Sequence, residues 1–140
     1  MMTVRCYLAP SAIEGLGVFS HEDLRKGQLV WRYDPALDLS VPKTSVEAML
    51  PHVQEFMDRY SYEDPYNPDN VVLDADEGRF MNHSETPNLD FSGKDFGYAL
   101  WDIPAGTELT CNYAEFVIGA LVMQPPRHRV GPAANGHAAA

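Results

Sequence analysis

Two short stretches carry most of the chemistry in this chain. The first, Arg79-Phe80-Met81-Asn82-His83-Ser84-Glu85-Thr86-Pro87-Asn88, crowds a guanidinium, two side-chain amides, an imidazole and two hydroxyls behind an apolar lead-in. The second, Glu108-Leu109-Thr110-Cys111-Asn112-Tyr113, is a β-prone run that ends on a phenol. An amide, an imidazole and a hydroxyl in succession cannot all enter an apolar core without partners, so they bond to backbone or to a ligand. Together the two stretches describe a site for a polar small molecule with a phenol at its edge. Glu14-Gly15-Leu16-Gly17 adds a Gly-x-Gly. By itself this reads as a turn, since the third glycine and following helix of a dinucleotide site are missing. Two glycines nevertheless let a backbone approach a ligand closely. His83 has no second His or Cys at ligand spacing, so no metal site is expected. Ser84, His83 and an aspartate could make a hydrolase triad, but no Gly-x-Ser-x-Gly elbow is present.

These residues must be positioned by short elements. Residues 3–8 alternate weakly and predict a first strand, and 11–17 are turn-rich. Val18-Phe19 predicts a short strand, 21–27 a polar connector and 28–33 an alternating strand after the Lys26-Gly27 turn signal. Residues 44–60 form the one helical stretch, with apolar residues at helical spacing from Val46 to Tyr60. Thr44 and Glu47 are spaced as a capping box. Pro51 interrupts the stretch, which predicts a kink or two short helices with Pro51 near the start of the second. Residues 61–70, with Tyr62, Pro65, Tyr66 and Pro68, read as an irregular loop. Further strands are expected at 71–74, 90–91, 98–103 and 107–113. The result is a mostly-β domain with a small helical insert.

At 140 residues the chain forms one domain with a single core. Its apolar runs are too short for a bilayer span, and its first ten residues lack the apolar core of a signal peptide, so a cytoplasmic location is expected, or a nuclear one in a eukaryote. Cys6 and Cys111 are too few for a cysteine-type zinc site, and a disulfide between them is disfavoured in a reducing compartment. The net charge is −10, and Arg127 and Arg129 lie in the tail, so the folded part is more acidic still. Such a surface repels nucleic acid phosphates and attracts a Lys/Arg-rich partner. Acidic charge also serves solubility alone. The Pro/Gly/Ala-rich tail at 124–140 is expected to be disordered.

The combination of Gly15-x-Gly17, the block 79–88, Ile103-Pro104-Ala105-Gly106 and Glu108-Leu109-Thr110-x-Asn112-Tyr113 resembles the SET domain of protein lysine methyltransferases. The resemblance covers most of the chain, about residues 3–118, and implies a SET domain over 1–123 with its helical insert at about 43–70. It implies a β-clip of small curved sheets around a pseudoknot, which brings the two motifs to one crossing. It implies S-adenosylmethionine as cofactor, contacted by Gly15, Leu16, Gly17, Arg79, Asn82 and His83, with Phe116 covering the adenine. Asn82 and His83 would use backbone and side chain. Tyr113 matches the catalytic tyrosine, and Phe91, Cys111 and Tyr113 match the channel for the target lysine. Tyr62 or Tyr66 would add a contact from the insert. Phe91 has no hydroxyl and Cys111 is smaller than the usual aromatic, which implies a channel roomy enough for di- or trimethylation.

The chain departs from many relatives in having no zinc-binding cysteine cluster after the tyrosine. Residues 114–123, or a second copy in a homodimer, would then complete the site. The implied activity is methyl transfer to a lysine of a basic protein such as a histone, a histone-like protein or a ribosomal protein. The alternative is a catalytically weak SET module that binds a basic protein. No direct binding to nucleic acid or membrane is expected.

Overall fold

The computed structural model describes residues 1–93 and 95–116. The apolar segment 117–123, the tail at 124–140 and the side chain of Phe116 lie outside the described residues. Ten short strands and two helices follow in order: β1 (Cys6–Pro10), β2 (Leu16–Ser20), β3 (Leu29–Arg32), β4 (Asp38–Pro42), α1 (Lys43–Glu47), α2 (Pro51–Tyr60), β5 (Ser61–Glu63), β6 (Asn70–Asp74), β7 (Asn82–His83), β8 (Leu89–Asp90), β9 (Phe96–Ala99) and β10 (Glu108–Cys111). Single 3-10 turns occupy Glu77–Phe80 and Tyr113–Phe116. The strands form three small sheets, ordered β1-β2-β10-β7, β3-β9-β8 and β4-β6-β5. This is the mostly-β architecture of small sheets and few helices expected from the sequence.

The core joins the first two sheets. Val18, Val30, Trp31, Leu89, Phe91, Ala99, Leu109 and Cys111 are buried in it, with Leu24, Met81 and Ile103. Leu24 and Ile103 meet in an isolated bridge that closes the connector 21–27. Phe91 packs against Trp31, ring centroids 5.4 Å apart. It also fills the space over Gly97, where an added Cβ would lie 2.6 Å from the ring.

Tertiary contacts revise several local readings. The 44–60 stretch divides where Pro51 predicts, with Pro51 in the first turn of α2. The Thr44–Glu47 capping box does not form, because α1 already begins at Lys43 behind Pro42 and makes no side-chain cap. The pairing of β4 with β6, Pro42 opposite Asn70, runs the chain straight into the helix and so sets its start. Within 61–70, Ser61–Glu63 is a strand rather than loop. The Tyr62 hydroxyl donates to Asp74 Oδ1 (2.8 Å) and its ring meets Trp31 edge-on, contacts distant in sequence. The strand expected at 98–103 is displaced to Phe96–Ala99. Trp101 lies beyond it, half exposed. Cys6 and Cys111 are free thiols. No described helix is long and apolar enough to cross a membrane.

The Phe91–Gly97 contact yields a direct test. Gly97→Ala should destabilise the fold by about 1–3 kcal/mol through overpacking, read as a lower thermal midpoint; an unchanged midpoint would refute the close packing.

Candidate active site

The site forms where β10 is enclosed on both sides. Its residues Glu108 and Leu109 pair antiparallel with Phe19 and Val18 of β2. Thr110 and Cys111 pair parallel with Asn82 and His83 of β7. Asn88 completes the enclosure as a substitute strand. Its Oδ1 accepts from Thr110 N (2.9 Å), and its Nδ2 donates to the Glu108 carbonyl (2.7 Å). Buried Thr110 is satisfied in this way, as a polar group in a core must be.

A hydrogen-bonded hub ties this crossing to the glycine loop. Asn82 Nδ2 donates to the carbonyls of Glu14 (3.0 Å) and Leu16 (3.1 Å) and to Glu108 Oε1 (2.8 Å). The Ser11 hydroxyl lies 2.8 Å from both Glu108 carboxylate oxygens and accepts from the amides of Ile13 and Glu14. Gly15 turns the loop at φ +50°, in the left-handed region that favours glycine. Gly17 serves a different purpose: a Cβ there would sit 2.2 Å from Glu108 Oε1. The Glu108 carboxylate occupies the space that a side chain would need.

Beside the hub lies a cleft of about 390 Å³, lined by Pro10, Glu14, Gly15, Leu16, Arg59, Tyr60, Arg79, Phe80, Met81, Asn82 and Tyr113. Helix α2 supplies Arg59 and Tyr60. The 3-10 turn at 77–80 supplies Arg79 and Phe80, and the Tyr60 and Phe80 rings meet at 5.3 Å. The Arg79 guanidinium stands over Phe80 (5.1 Å) and Phe56 (5.9 Å). Its Nε is buried without a hydrogen-bond partner. Two guanidiniums, a carboxylate, flat aromatic surface and exposed backbone suit a ligand that carries both signs of charge and an aromatic ring.

Tyr113 closes one wall. Its hydroxyl donates to the Met81 carbonyl (2.7 Å), and its backbone N–H donates to His83 Nδ1 (3.0 Å). Burial holds the phenol above its ordinary pKa, with nearby Cys111 adding to the shift. Cys111 is itself buried and its thiol is pushed up for the same reason.

The sequence matches the SET domain family over residues 15–114, from the glycine loop to the residue after Tyr113. The chain belongs to the SET domain family. Its fold is similar to that of a candidate histone methyltransferase from Plasmodium falciparum, with a TM-score of 0.55 at 22% identity over 80% of this chain and 95% of that one. The Neurospora SET domain protein DIM-5, a histone lysine methyltransferase, gives a TM-score of 0.55 at 23% identity over 86% and 56% of the two chains. A structure of Polycomb Repressive Complex 2 from Chaetomium thermophilum, a humanized mutant, gives 0.58 at 21% over 81% and 15%. At these identities the likeness is one of fold, and the chain spans only part of the last two.

Seen as a SET domain, the crossing gathers Gly15, Leu16, Arg79, Asn82 and Tyr113 at one cleft. Gly17 and His83 stand behind its wall, engaged with Glu108 and Tyr113. Phe91 and Cys111 are buried in the core cluster against which the Tyr113 ring packs. Tyr62 is held by Asp74, and two-thirds-exposed Tyr66 donates to Asp95; the insert tyrosine on the cleft is Tyr60. The Ser84 hydroxyl accepts from Thr86 N while the His83 ring contacts Glu85 and Tyr113, so no Ser84–His83 dyad is assembled. Among the described residues no cluster of His, Cys, Asp and Glu could hold a metal ion. Sequence reasoning missed Glu108 and Ser11 as the hub, and Arg59 and Tyr60 as wall. Tyr60 was visible only as part of an apolar helix face. Glu108 lay inside a quoted motif, but its role depends on Gly17 across the sheet.

The Gly17–Glu108 contact predicts strong coupling. Gly17→Ala should cost about 1–3 kcal/mol in the native background, because it displaces a hydrogen-bonded carboxylate. In a Glu108→Ala background the same change should be nearly neutral. A double-mutant cycle by chemical denaturation measures this, and additive effects would show that Gly17 and Glu108 are not coupled.

Proposed function

We propose that this protein is an S-adenosylmethionine-dependent protein-lysine N-methyltransferase. The observation that carries the proposal is Tyr113, a phenol anchored at both backbone and hydroxyl on the wall of a cleft that also presents Arg79 and the glycine loop. Membership of the SET domain family supports it, as does likeness of fold to solved histone methyltransferases. S-adenosylmethionine fits the residues present. The unpartnered Arg79 Nε marks a guanidinium suited to its carboxylate, and Glu14 is suited to its ammonium. Gly15, Leu16 and Asn82 would line its length, and Tyr60 and Phe80 offer aromatic surface to its adenine.

When bound, this cofactor supplies an electrophilic methyl group on a sulfonium. The chain's own task is to present a neutral amine to it in line. A lysine titrates at about 10.4, so the amine must first give its proton to solvent. The apolar core behind Tyr113 favours that neutral form by withholding solvation from the ammonium. Because the Tyr113 O–H is donated to the Met81 carbonyl, the oxygen's lone pairs are left to accept an amine N–H. The phenol therefore orients the nucleophile. Held above its ordinary pKa, it keeps its proton and does not act as the base. Alignment of the reacting atoms supplies most of the acceleration. The substrate would be a lysine in a basic segment of a histone, histone-like or ribosomal protein, drawn by the acidic surface.

Incubation with methyl-labelled S-adenosylmethionine and a panel of basic proteins tests the reading. Label should enter lysine, and Tyr113→Phe should lower kcat by about 100-fold or more by removing an orienting contact. Cofactor binding without transfer to any protein would favour the alternative, a SET module that binds a basic partner.

A pH profile separates orientation from base catalysis. A phenol with a raised pKa stays protonated to higher pH, so Tyr113 adds no limb between about pH 7 and about pH 9. The rate should rise through that window as the substrate amine loses its proton, with the same shape in wild type and Tyr113→Phe. A limb present in wild type and absent from the variant would show that Tyr113 itself titrates.

A further inference from the structure

The His83 imidazole touches Tyr113 through a backbone atom. Tyr113 N donates to its Nδ1 at 3.0 Å, so that nitrogen carries no proton. The ring proton then lies on Nε2, which faces Glu85 Oε1 at 3.0 Å. The two rings lie 5.2 Å apart, and His83 pairs with Cys111 across the parallel β7–β10 ladder. The peptide that begins the turn of Tyr113 is therefore fixed by a side chain as well as by strand pairing. His83 does not line the cleft.

We propose that His83 is a positioning residue, locked as its Nε2–H tautomer, whose Nδ1 fixes the backbone of Tyr113 and so aims the phenol. This rests on the reading of Tyr113 as the group that orients the amine, and it gives the imidazole a role other than contact with the cofactor. Without the Nδ1 acceptor, the Tyr113 N–H loses its partner at the point where the chain leaves β10 for the 3-10 turn. The phenol can then drift from the Met81 carbonyl, and misplacement of an orienting group costs rate more than affinity. Glu85 is largely exposed, so it biases the tautomer only weakly.

Two amides distinguish the ring nitrogens. An asparagine oxygen falls where Nδ1 stands, and a glutamine oxygen falls where Nε2 stands. His83→Ala and His83→Gln should lower kcat by about 10-fold or more, equivalent to about 1.4 kcal/mol, with little change in KM for S-adenosylmethionine. His83→Asn should recover most of that loss. Glu85→Gln should change kcat by less than about threefold. Independently of activity, nitrogen NMR should show Nδ1 unprotonated in the wild type. Exchange protection of the Tyr113 amide should be lost in the Ala and Gln variants and kept in the Asn variant. Equal losses in all three variants, a raised cofactor KM as the main effect, or a proton on Nδ1 would overturn the assignment. Absence of methyl transfer even in the wild type would count against the functional proposal, while the amide exchange would still decide the role of His83.

Discussion

Enclosing β10 between two neighbours removes its backbone and polar side chains from water, and each of those groups then needs a partner. On one side β2 provides part of a regular ladder. On the other, β7 is only two residues long, and Asn88 extends the pairing with a side-chain amide that mimics a peptide. Such substitution succeeds only in one register, since a buried amide left unpaired costs more than the hydrogen bond contributes. The two Asn residues of the 79–88 block thus have a structural task before any catalytic one. Asn88 seals β10, and Asn82 ties it to the glycine loop.

The cleft is a consequence of that constraint. Asn82 draws the carbonyls of Glu14 and Leu16 toward the crossing, and Glu108 fills the space beneath Gly17. The glycine loop, β7 and Glu108 converge because they share hydrogen-bond partners, and Tyr113 joins them through Met81 and His83, not because they are neighbours in sequence. The helical insert then adds a wall of Arg59 and Tyr60, held by the Phe56–Tyr60–Phe80 ring contacts. Preorganisation of this kind would let a small domain hold a polar ligand, under the proposed function, without relying on mobile side chains.

Within the site, each polar group carries more than one duty. The Tyr113 phenol is kept neutral by burial and committed as a donor to Met81, so what it offers a ligand is an acceptor. The Glu108 carboxylate bonds Ser11 and Asn82 and also explains a glycine in another strand. Arg79 combines cation–π contacts with a buried Nε that has no hydrogen-bond partner.

The sequence by itself determined the class of the fold and part of the cleft's lining. The two motifs named Arg79, Asn82 and Tyr113, and Gly15 with Leu16 came from the glycine loop. The period of 44–60 with Pro51 marked a helical stretch interrupted at the proline, and the short alternating runs marked a mostly-β domain. These features are local, so they can be read from neighbouring residues. Tertiary structure decided what depends on distant partners. It made Ser61–Glu63 a strand through Tyr62, Asp74 and Trp31, and started α1 at the end of a paired strand rather than at a capping threonine. It placed Tyr60, not Tyr62 or Tyr66, on the cleft. It also set Glu108 under Gly17 and His83 behind Tyr113. Which surface a side chain meets across a crossing is fixed by register and burial of the whole chain, and no local spacing encodes it.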